Sequence, residues 1–331
     1  MATGVTVQRR RRPLVFGCQL LTGKRSGGVR FGRDSGGRRI RGLSGYRDLG
    51  SERSVTTTLS LPLALELDSW QAPFLRPGAS IFLDYDGTLT PIVSRPELAT
   101  LSDSMRDLLR RLSARFPAAI VSGRDIGVVG KLVGIDGFVY VGSHGLDIQG
   151  PPGSGLRKEI GWEAVPALDA AEVALRRGVS NVPGAVVERK RFSLSTHVRL
   201  VASSDRPSVE ALVAKQAKEH PLLRLEGGKM LFELRPDVVW DKGAAVMWLL
   251  DEVGLDVGSA LFIGDDLTDE TVFQAMAGRG TTVVVSSIDR STAAHYRVRD
   301  PDEVRRLLEL VVDLAGSQDP IPRRTWVRPS R

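Results

Sequence analysis

Cysteine occurs once in this chain of 331 residues, at Cys18. A single thiol rules out any disulfide within the chain and leaves no Cys/His set for zinc, which points to a reducing, cytoplasmic setting. Long apolar runs are also missing. No stretch approaches the roughly 18 residues of a membrane span, so no membrane partner is expected. No apolar segment follows the N-terminal arginines closely enough for a secretory signal. The phosphate-cradling pattern Gly-x₄-Gly-Lys-[Ser/Thr] does not occur, which disfavours a nucleotide-dependent kinase. Acidic residues are scarce in one region only: residues 1–60 carry 13 Lys and Arg against 3 Asp and Glu, while the whole chain carries 46 against 39 for a net charge of +7. The basic character therefore belongs to the start of the chain, and the remainder is mildly acidic.

Residues 1–75 are expected to be a basic, disordered extension, although sustained apolar content sets in from Leu61. Arg9-Arg10-Arg11-Arg12 and Arg38-Arg39 suit a solvated tail, an organellar targeting segment or an electrostatic contact to a polyanion. No aromatic interleaving supports base stacking, so no nucleic-acid partner is expected for the folded part.

The folded part opens on an apolar run that stops in two carboxylates. Ile81, Phe82 and Leu83 read as a strand buried on both faces, Gly87 allows a sharp turn, and Asp84 and Asp86 fall at the strand's carboxyl end. Leu101, Met105, Leu108, Leu109 and Leu112 then recur at helical spacing behind Ser102 as N-cap. A second strand, 118–121, ends in Ser122-Gly123-Arg124, and a third, 137–141, ends in Gly142-Ser143-His144-Gly145. This alternation predicts a doubly wound parallel sheet, with 76–150 as the first part of the core.

The Pro/Gly-rich stretch 150–155 reads as a domain boundary, and 151–235 as an inserted, smaller α/β cap. Its expected elements are a helix over 165–177, one long strand over 185–201, a helix over 208–219 and a strand over 229–234. Strict alternation along the long strand puts Phe192, Leu194 and Thr196 on one face and Arg189 and His197 on the other. Glu188 and Lys190 then share the Phe192 face, away from a ligand unless a bulge turns them. On the second strand Lys229, Glu233 and Arg235 form the polar face. The core resumes over 236–316, with Asp241 capping a helix that opens on Lys242, a strand over 260–263 running into Gly264-Asp265-Asp266-Leu267-Thr268-Asp269-Glu270, a strand over 282–285 and a last helix behind Asp300. Residues 317–331 form a tail.

These strand and helix ends suit phosphoryl transfer. Asp84 is placed to attack phosphorus and Asp86 to handle the proton. A dianionic ester repels a carboxylate, so a hard cation, Mg²⁺, is expected, with Asp84, Asp86, Asp265 and Asp269 as candidate oxygen ligands, Asp269 more by orienting bound water. Lys242 adds a point charge, and the Ser122 hydroxyl with the backbone at Gly123 and Arg124 can hold phosphoryl oxygens. Asp266 suits either the metal or a helix cap, Arg124 either the phosphate or an ion pair, and His144 either a sugar or the backbone.

Asp84-Tyr-Asp86-Gly-Thr-Leu, Val121-Ser122-Gly-Arg, Lys242 and Gly264-Asp265-Asp266-x-Thr-Asp269 resemble the four ordered motifs of the haloacid-dehalogenase-type phosphatases. With Gly142-Ser-His-Gly, Glu188-Arg-Lys-Arg-Phe192-Ser and Lys229-Met-Leu-Phe-Glu233-Leu-Arg-Pro, the chain more narrowly resembles the trehalose-6-phosphate phosphatases over about residues 78–315. The resemblance implies a haloacid-dehalogenase-like core with an inserted cap, Mg²⁺ dependence and trehalose 6-phosphate as substrate, with functional coupling to a trehalose-6-phosphate synthase. Candidate substrate contacts are then Gly123, Arg124, His144, Arg189, His197, Lys229, Glu233 and Arg235. A phosphatase for sucrose phosphate or a glycosyl phosphoglycerate would share every core residue and differ in the cap. A receiver-type phosphoacceptor has no use for an 80-residue insert, and a silent binding module is disfavoured because Asp84, Asp86 and Lys242 are all present.

Overall fold

The short apolar runs become the inner strands of one sheet. The computed structural model describes residues 61–71, 78–93, 95–228, 230–316 and Trp326. In chain order these form β1 (Ser80–Leu83), α1 (Asp103–Ser113), β2 (Ala118–Val121), α2 (Ile126–Val133), β3 (Val139–Gly142), β4 (Asp147–Gln149) and β5 (Arg157–Glu159). Next come α3 (Val165–Gly178), β6 (Val186–Lys190), β7 (Ser193–His197), α4 (Arg206–Glu219), β8 (Leu223–Gly228) and β9 (Leu231–Pro236). The chain then returns through α5 (Lys242–Glu252), β10 (Ala260–Gly264), α6 (Glu270–Met276), β11 (Thr281–Val285), β12 (Tyr296–Val298) and α7 (Pro301–Gly316).

The larger sheet has the order β12-β11-β10-β1-β2-β3-β4-β5, parallel from β12 to β3, with β4 and β5 antiparallel at one end. Every side chain of β1, β2 and β10 is buried, as a parallel sheet covered on both faces requires. Ile81, Leu83, Leu261, Ile263 and Val283 pack with Leu108 and Leu109 of α1 and Leu307 and Val311 of α7. Phe82, Phe262 and Val284 point the other way, onto Val246 and Leu249 of α5 and Phe273 of α6. The smaller sheet, β6-β7-β9-β8, is wholly antiparallel. One face of it carries Val187, Leu194 and Leu234 onto Leu168 and Leu175 of α3 and Val209 and Val213 of α4. The architecture is thus the expected doubly wound α/β core with a smaller α/β unit inserted.

Several boundaries differ from the sequence reading. The 150–155 stretch is not a domain boundary but the turn between β4 and β5, so the core sheet runs on to Glu159. Gly and Pro mark turns of every kind, and a hairpin within a domain looks the same in sequence as a linker between two. The single strand expected over 185–201 is a tight hairpin, β6 and β7, reversing at Arg191 and Phe192. β8, β12 and α2 had no clear sequence period. Residues 61–71, expected within the extension, belong to the fold: Leu63 bridges Arg297, Arg297 N donates to Pro62 O at 3.0 Å, and Trp70 is buried. The rest of the expected basic extension and almost all of the 317–331 tail lie outside the described residues, and Trp326 packs edge-on against Phe82.

Candidate active site

β1 sits where the strand order reverses, between β10 and β2, and the parallel strands all end on one edge. In an open α/β sheet that edge is where ligands are held. Asp84 follows β1 directly, its backbone N–H donating to Ile263 O at 2.9 Å, and its side chain is buried. Lys242, first residue of α5 behind the N-cap Asp241, reaches across and donates to Asp84 Oδ1 and Asp269 Oδ1, both at 2.8 Å. Burial alone would favour the neutral amine, but the two carboxylates outweigh it and raise the Lys242 pKa above its ordinary value. Asp84 is pushed well above the usual carboxylate range, first by burial, with Lys242 pulling the other way and Asp269 adding to the rise. Burial, then the neighbouring Asp269 and Asp266, push Asp265 to about 6.

Asp84, Asp265 and Asp269 each present an oxygen within 4.8 Å of the others. Asp265 Oδ1 is buried and has no hydrogen-bond partner among the described residues. An all-carboxylate set with an unmatched buried oxygen suits a hard divalent cation. Glycine permits this crowding at two points: a Cβ on Gly87, whose φ is +80°, would lie 2.1 Å from Asp265 Oδ2, and one on Gly264 would lie 2.5 Å from Asp269 Oδ2. Both Asp269 oxygens are already engaged, Oδ1 by Lys242 and Oδ2 by the backbone N–H groups of Asp265 and Asp266 at 3.0 Å. Asp266 accepts from Leu267 N in a capping box with Asp269, so it caps the following turn.

Asp86 needs a correction. Its carboxylate stands outside this cluster and is gripped by Arg124 through two parallel bonds, Nε to Oδ2 and Nη2 to Oδ1, both 2.6 Å. So held, the carboxylate is not brought into the Asp84, Asp265 and Asp269 cluster, against the expectation that it joins them. Arg124 lies over the Tyr85 ring at 5.5 Å and also donates to Pro96 O, so it is an ion-pair partner before it is anything else. Ser122 is buried beside Asp84 in the strand order, and its Oγ accepts from Arg124 N at 3.1 Å.

Beyond β3 the backbone turns left-handed at two residues with side chains, Ser143 (φ 50) and His144 (φ 58), and then at Gly145 (φ 103). Such strain persists only where surroundings impose it. Here Trp240 Nε1 donates to Gly145 O at 2.8 Å, and a Cβ on Gly145 would meet Asp241 O at 2.6 Å. The turn presses the His144 ring on Gly123, where a Cβ would lie 2.5 Å from Cε1. Burial first, then Arg235, Lys242 and Lys190, hold the His144 pKa well below its ordinary value, so the ring is neutral. Its Nδ1 is buried and has no partner among the described residues.

Gly123, Ser143 and His144 line one pocket with Phe192, Ser193, Glu233 and Arg235 of the inserted unit. Glu233 accepts from Ser195 Oγ at 2.8 Å, and Arg235 pairs with Glu226 at 3.0 Å. His197 stands apart from the pocket lining, bonded to Glu188 at 2.8 Å. Arg189 is on the wrong face. The reversal at Arg191 pairs Arg189 with Leu194 and Glu188 with Ser195, so Arg189 turns toward α3 and binds Asp169 at 2.7 Å. Glu188 and Lys190, set aside by strict alternation, share the face of Ser195 and Glu233. Lys229 lies outside the described residues. Sequence reasoning also missed Arg290, which donates to Asp265 O at 2.6 Å and to Glu270 Oε1 at 2.8 Å, while Glu270 Oε2 accepts from Ala293 N. The only signal was an otherwise unassigned glutamate at the end of Gly-Asp-Asp-x-Thr-Asp-Glu.

Comparison with known proteins places this site in context. Residues 82–302 match the family model for trehalose-phosphatase. A probable trehalose-phosphate phosphatase 9 of Oryza sativa subsp. japonica is 38% identical over 263 residues, covering 72% of this chain and 70% of that protein. A solved structure described as a trehalose-6-phosphate phosphatase related protein aligns with a TM-score of 0.62 at 28% identity, over 72% of this chain and 99% of that one. A haloacid dehalogenase-like hydrolase from Bacteroides thetaiotaomicron shares the fold, with a TM-score of 0.53 at 17% identity over 70% and 99% of the two chains.

Proposed function

The chain belongs to the trehalose-phosphatase family, and we propose on that footing that it hydrolyses trehalose 6-phosphate to trehalose and phosphate through an aspartyl phosphate on Asp84, with Mg²⁺ as cofactor. It is a phosphoric monoester hydrolase of trehalose biosynthesis. The observation that carries the mechanism is the buried set of Asp84, Lys242 and Asp269 with the unmatched Oδ1 of Asp265 beside it, at the carboxyl edge of the parallel sheet.

A Mg²⁺ held by Asp84 and Asp265 would supply charge neutralisation for the dianionic ester. Lys242 fixes Asp84 through Oδ1 and offsets its charge. Ser122 Oγ and the Gly123 backbone hold phosphoryl oxygens, which leaves Asp84 in line with phosphorus. Asp84 forms the new P–O bond as the bond to the sugar oxygen breaks, and Asp86 gives that oxygen its proton. Water then attacks phosphorus, Asp86 takes the water's proton, and the bond to Asp84 breaks. The Arg124 pair must open for Asp86 to turn inward, which makes Arg124 a gate on the proton donor as well as a phosphate contact. His144, Glu233 and Arg235 read the sugar from the pocket walls, and His197 supports Glu188 on the same face.

Among the described residues no helix is long and apolar enough to cross a membrane. A cytoplasmic site of action and coupling to a trehalose-6-phosphate synthase complete the reading. The test is phosphate release from a panel of sugar phosphates with Mg²⁺ and with EDTA. Trehalose 6-phosphate should lead the panel, and EDTA should silence the enzyme until Mg²⁺ is restored. Preference for glucose 6-phosphate or sucrose phosphate would retire the substrate, and full activity in EDTA would retire the metal.

A further inference from the structure

Asp125 occupies the N-cap of α2, yet its side chain caps nothing there. An aspartate at that position ordinarily accepts from the backbone of its own helix. Here both carboxylate oxygens are spent on distant partners. Oδ1 accepts from Ser143 Oγ at 2.7 Å, and Oδ2 accepts from Arg191 N at 3.0 Å. Ser143 belongs to the strained turn after β3, and Arg191 is the tip of the β6–β7 hairpin in the inserted unit. A helix has given up a cap to join two elements that each line the pocket.

We infer that Asp125 is a positioning residue for sugar recognition, tying the tip of the β6–β7 hairpin to the 143–145 turn so that Phe192 and Ser193 stand at a fixed distance from Gly123 and His144. This rests on the reading that the inserted unit contacts the sugar. The tie bonds one lining residue, Ser143, and the neighbour of another, Phe192, while Asp125 itself is absent from the pocket lining. It is also directional. The Arg191 side chain is anchored separately, to Glu159 at 2.7 Å, while among the described residues Asp125 is the one acceptor for its backbone N–H. Phe192, next in the chain, is fully buried, so any freedom at Arg191 N is passed directly to the pocket wall. The phosphate-binding loop does not depend on Asp125. Ser143 N donates to Arg124 O at 2.8 Å, His144 N to Ser122 O at 3.1 Å and Ser122 N to Val141 O at 2.8 Å, all main chain to main chain. Loss of the carboxylate therefore frees the hairpin tip while the loop beside Asp84 stays in place.

The chemistry of the tie sets a rescue. An amide can accept from Arg191 N through its oxygen and donate to Ser143 Oγ through its nitrogen, because a hydroxyl both donates and accepts. Asp125→Asn should thus preserve both bonds, and Asp125→Ala should lose both. Asp125→Ser, too short to span the gap but able to cap α2, guards against a folding defect in the alanine variant. The measurements are steady-state kinetics on trehalose 6-phosphate and on p-nitrophenyl phosphate, and hydrogen exchange of peptides covering residues 188–195. The alanine and serine variants should raise KM for trehalose 6-phosphate about tenfold, leave kcat/KM for p-nitrophenyl phosphate within about twofold, and exchange the hairpin turn at least tenfold faster. The asparagine variant should match wild type in all three. Unchanged hairpin exchange in both short variants, equal losses on the two esters, or an asparagine variant as impaired as alanine would each overturn the inference. A wild type that does not distinguish the two esters would instead remove the sugar-reading role of the inserted unit, while the exchange data still report on the tie.

Discussion

Lys242 opens α5, where a cation meets the positive end of the helix dipole, and its two carboxylate partners are the reason it can stand there. Asp84→Asn keeps the shape and the bond of Lys242 to Asp269 but removes the proposed nucleophile. Turnover should fall below detection while circular dichroism and the melting profile stay near wild type; appreciable phosphate release would exclude the aspartyl phosphate. His144 offers a second test. Its pKa is lowered in the folded chain from the usual value near 6.5, so the unfolded chain binds a proton that the folded chain refuses. The contribution to stability is whole above about pH 6.5 and is lost as pH falls below it. His144→Asn, which tolerates the left-handed backbone, should therefore lose less Tm than wild type between pH 7 and pH 5.5. Asp84, Ser122, Lys242, Asp265 and Asp269 were legible because each follows or opens a strongly patterned element. Arg189 was misread because its face depends on the position of one turn, and a hairpin reversal changes the parity of every residue before it.

At the scale of elements, the β6–β7 hairpin and β9 carry the polar face that meets the core. Glu233→Ala should lower kcat/KM for trehalose 6-phosphate at least about tenfold, or about 1.4 kcal/mol of transition-state binding, with a much smaller effect on p-nitrophenyl phosphate. Equal losses on both esters would assign Glu233 to the support of Ser195 rather than to the sugar. The loop after β11 acts on the other side of the site. Arg290 holds the Asp265 carbonyl and is itself held by Glu270, so if Asp265 is the proposed Mg²⁺ ligand, Arg290→Ala should weaken Mg²⁺ binding by roughly tenfold in calorimetric titration, as loss of an outer support of a metal ligand does. An unchanged affinity would separate that loop from the acidic one. The inner strands were readable because burial on both faces writes a continuous apolar run. β4, β5 and β8 are rich in charge or glycine and are placed by their neighbours, which no local pattern records.

Over the whole molecule, the charge asymmetry and the first described residues separate two kinds of N-terminal sequence. Removal of residues 1–60 should leave kinetics on trehalose 6-phosphate nearly unchanged and reduce salt-sensitive adhesion to polyanions. A cut at residue 72 removes more, because buried Trp70 and Ala64 go with it. Their loss costs roughly 3 kcal/mol of apolar burial, enough to lower Tm by about 5–10 °C in differential scanning calorimetry. A shorter chain as stable as the longer one would make the 61–71 segment ornamental. The bridge from Leu63 to Arg297 has a further consequence. β12 is the last strand of the larger sheet on its side, and Pro62 takes up the backbone N–H that Arg297 would otherwise offer. The segment is a guard on an open edge, since unpaired strand groups recruit other chains. The chain cut at 72 should therefore self-associate with increasing concentration in light scattering while the chain cut at 60 stays monodisperse, so that colloidal behaviour, and not catalysis, is the property this short stretch protects.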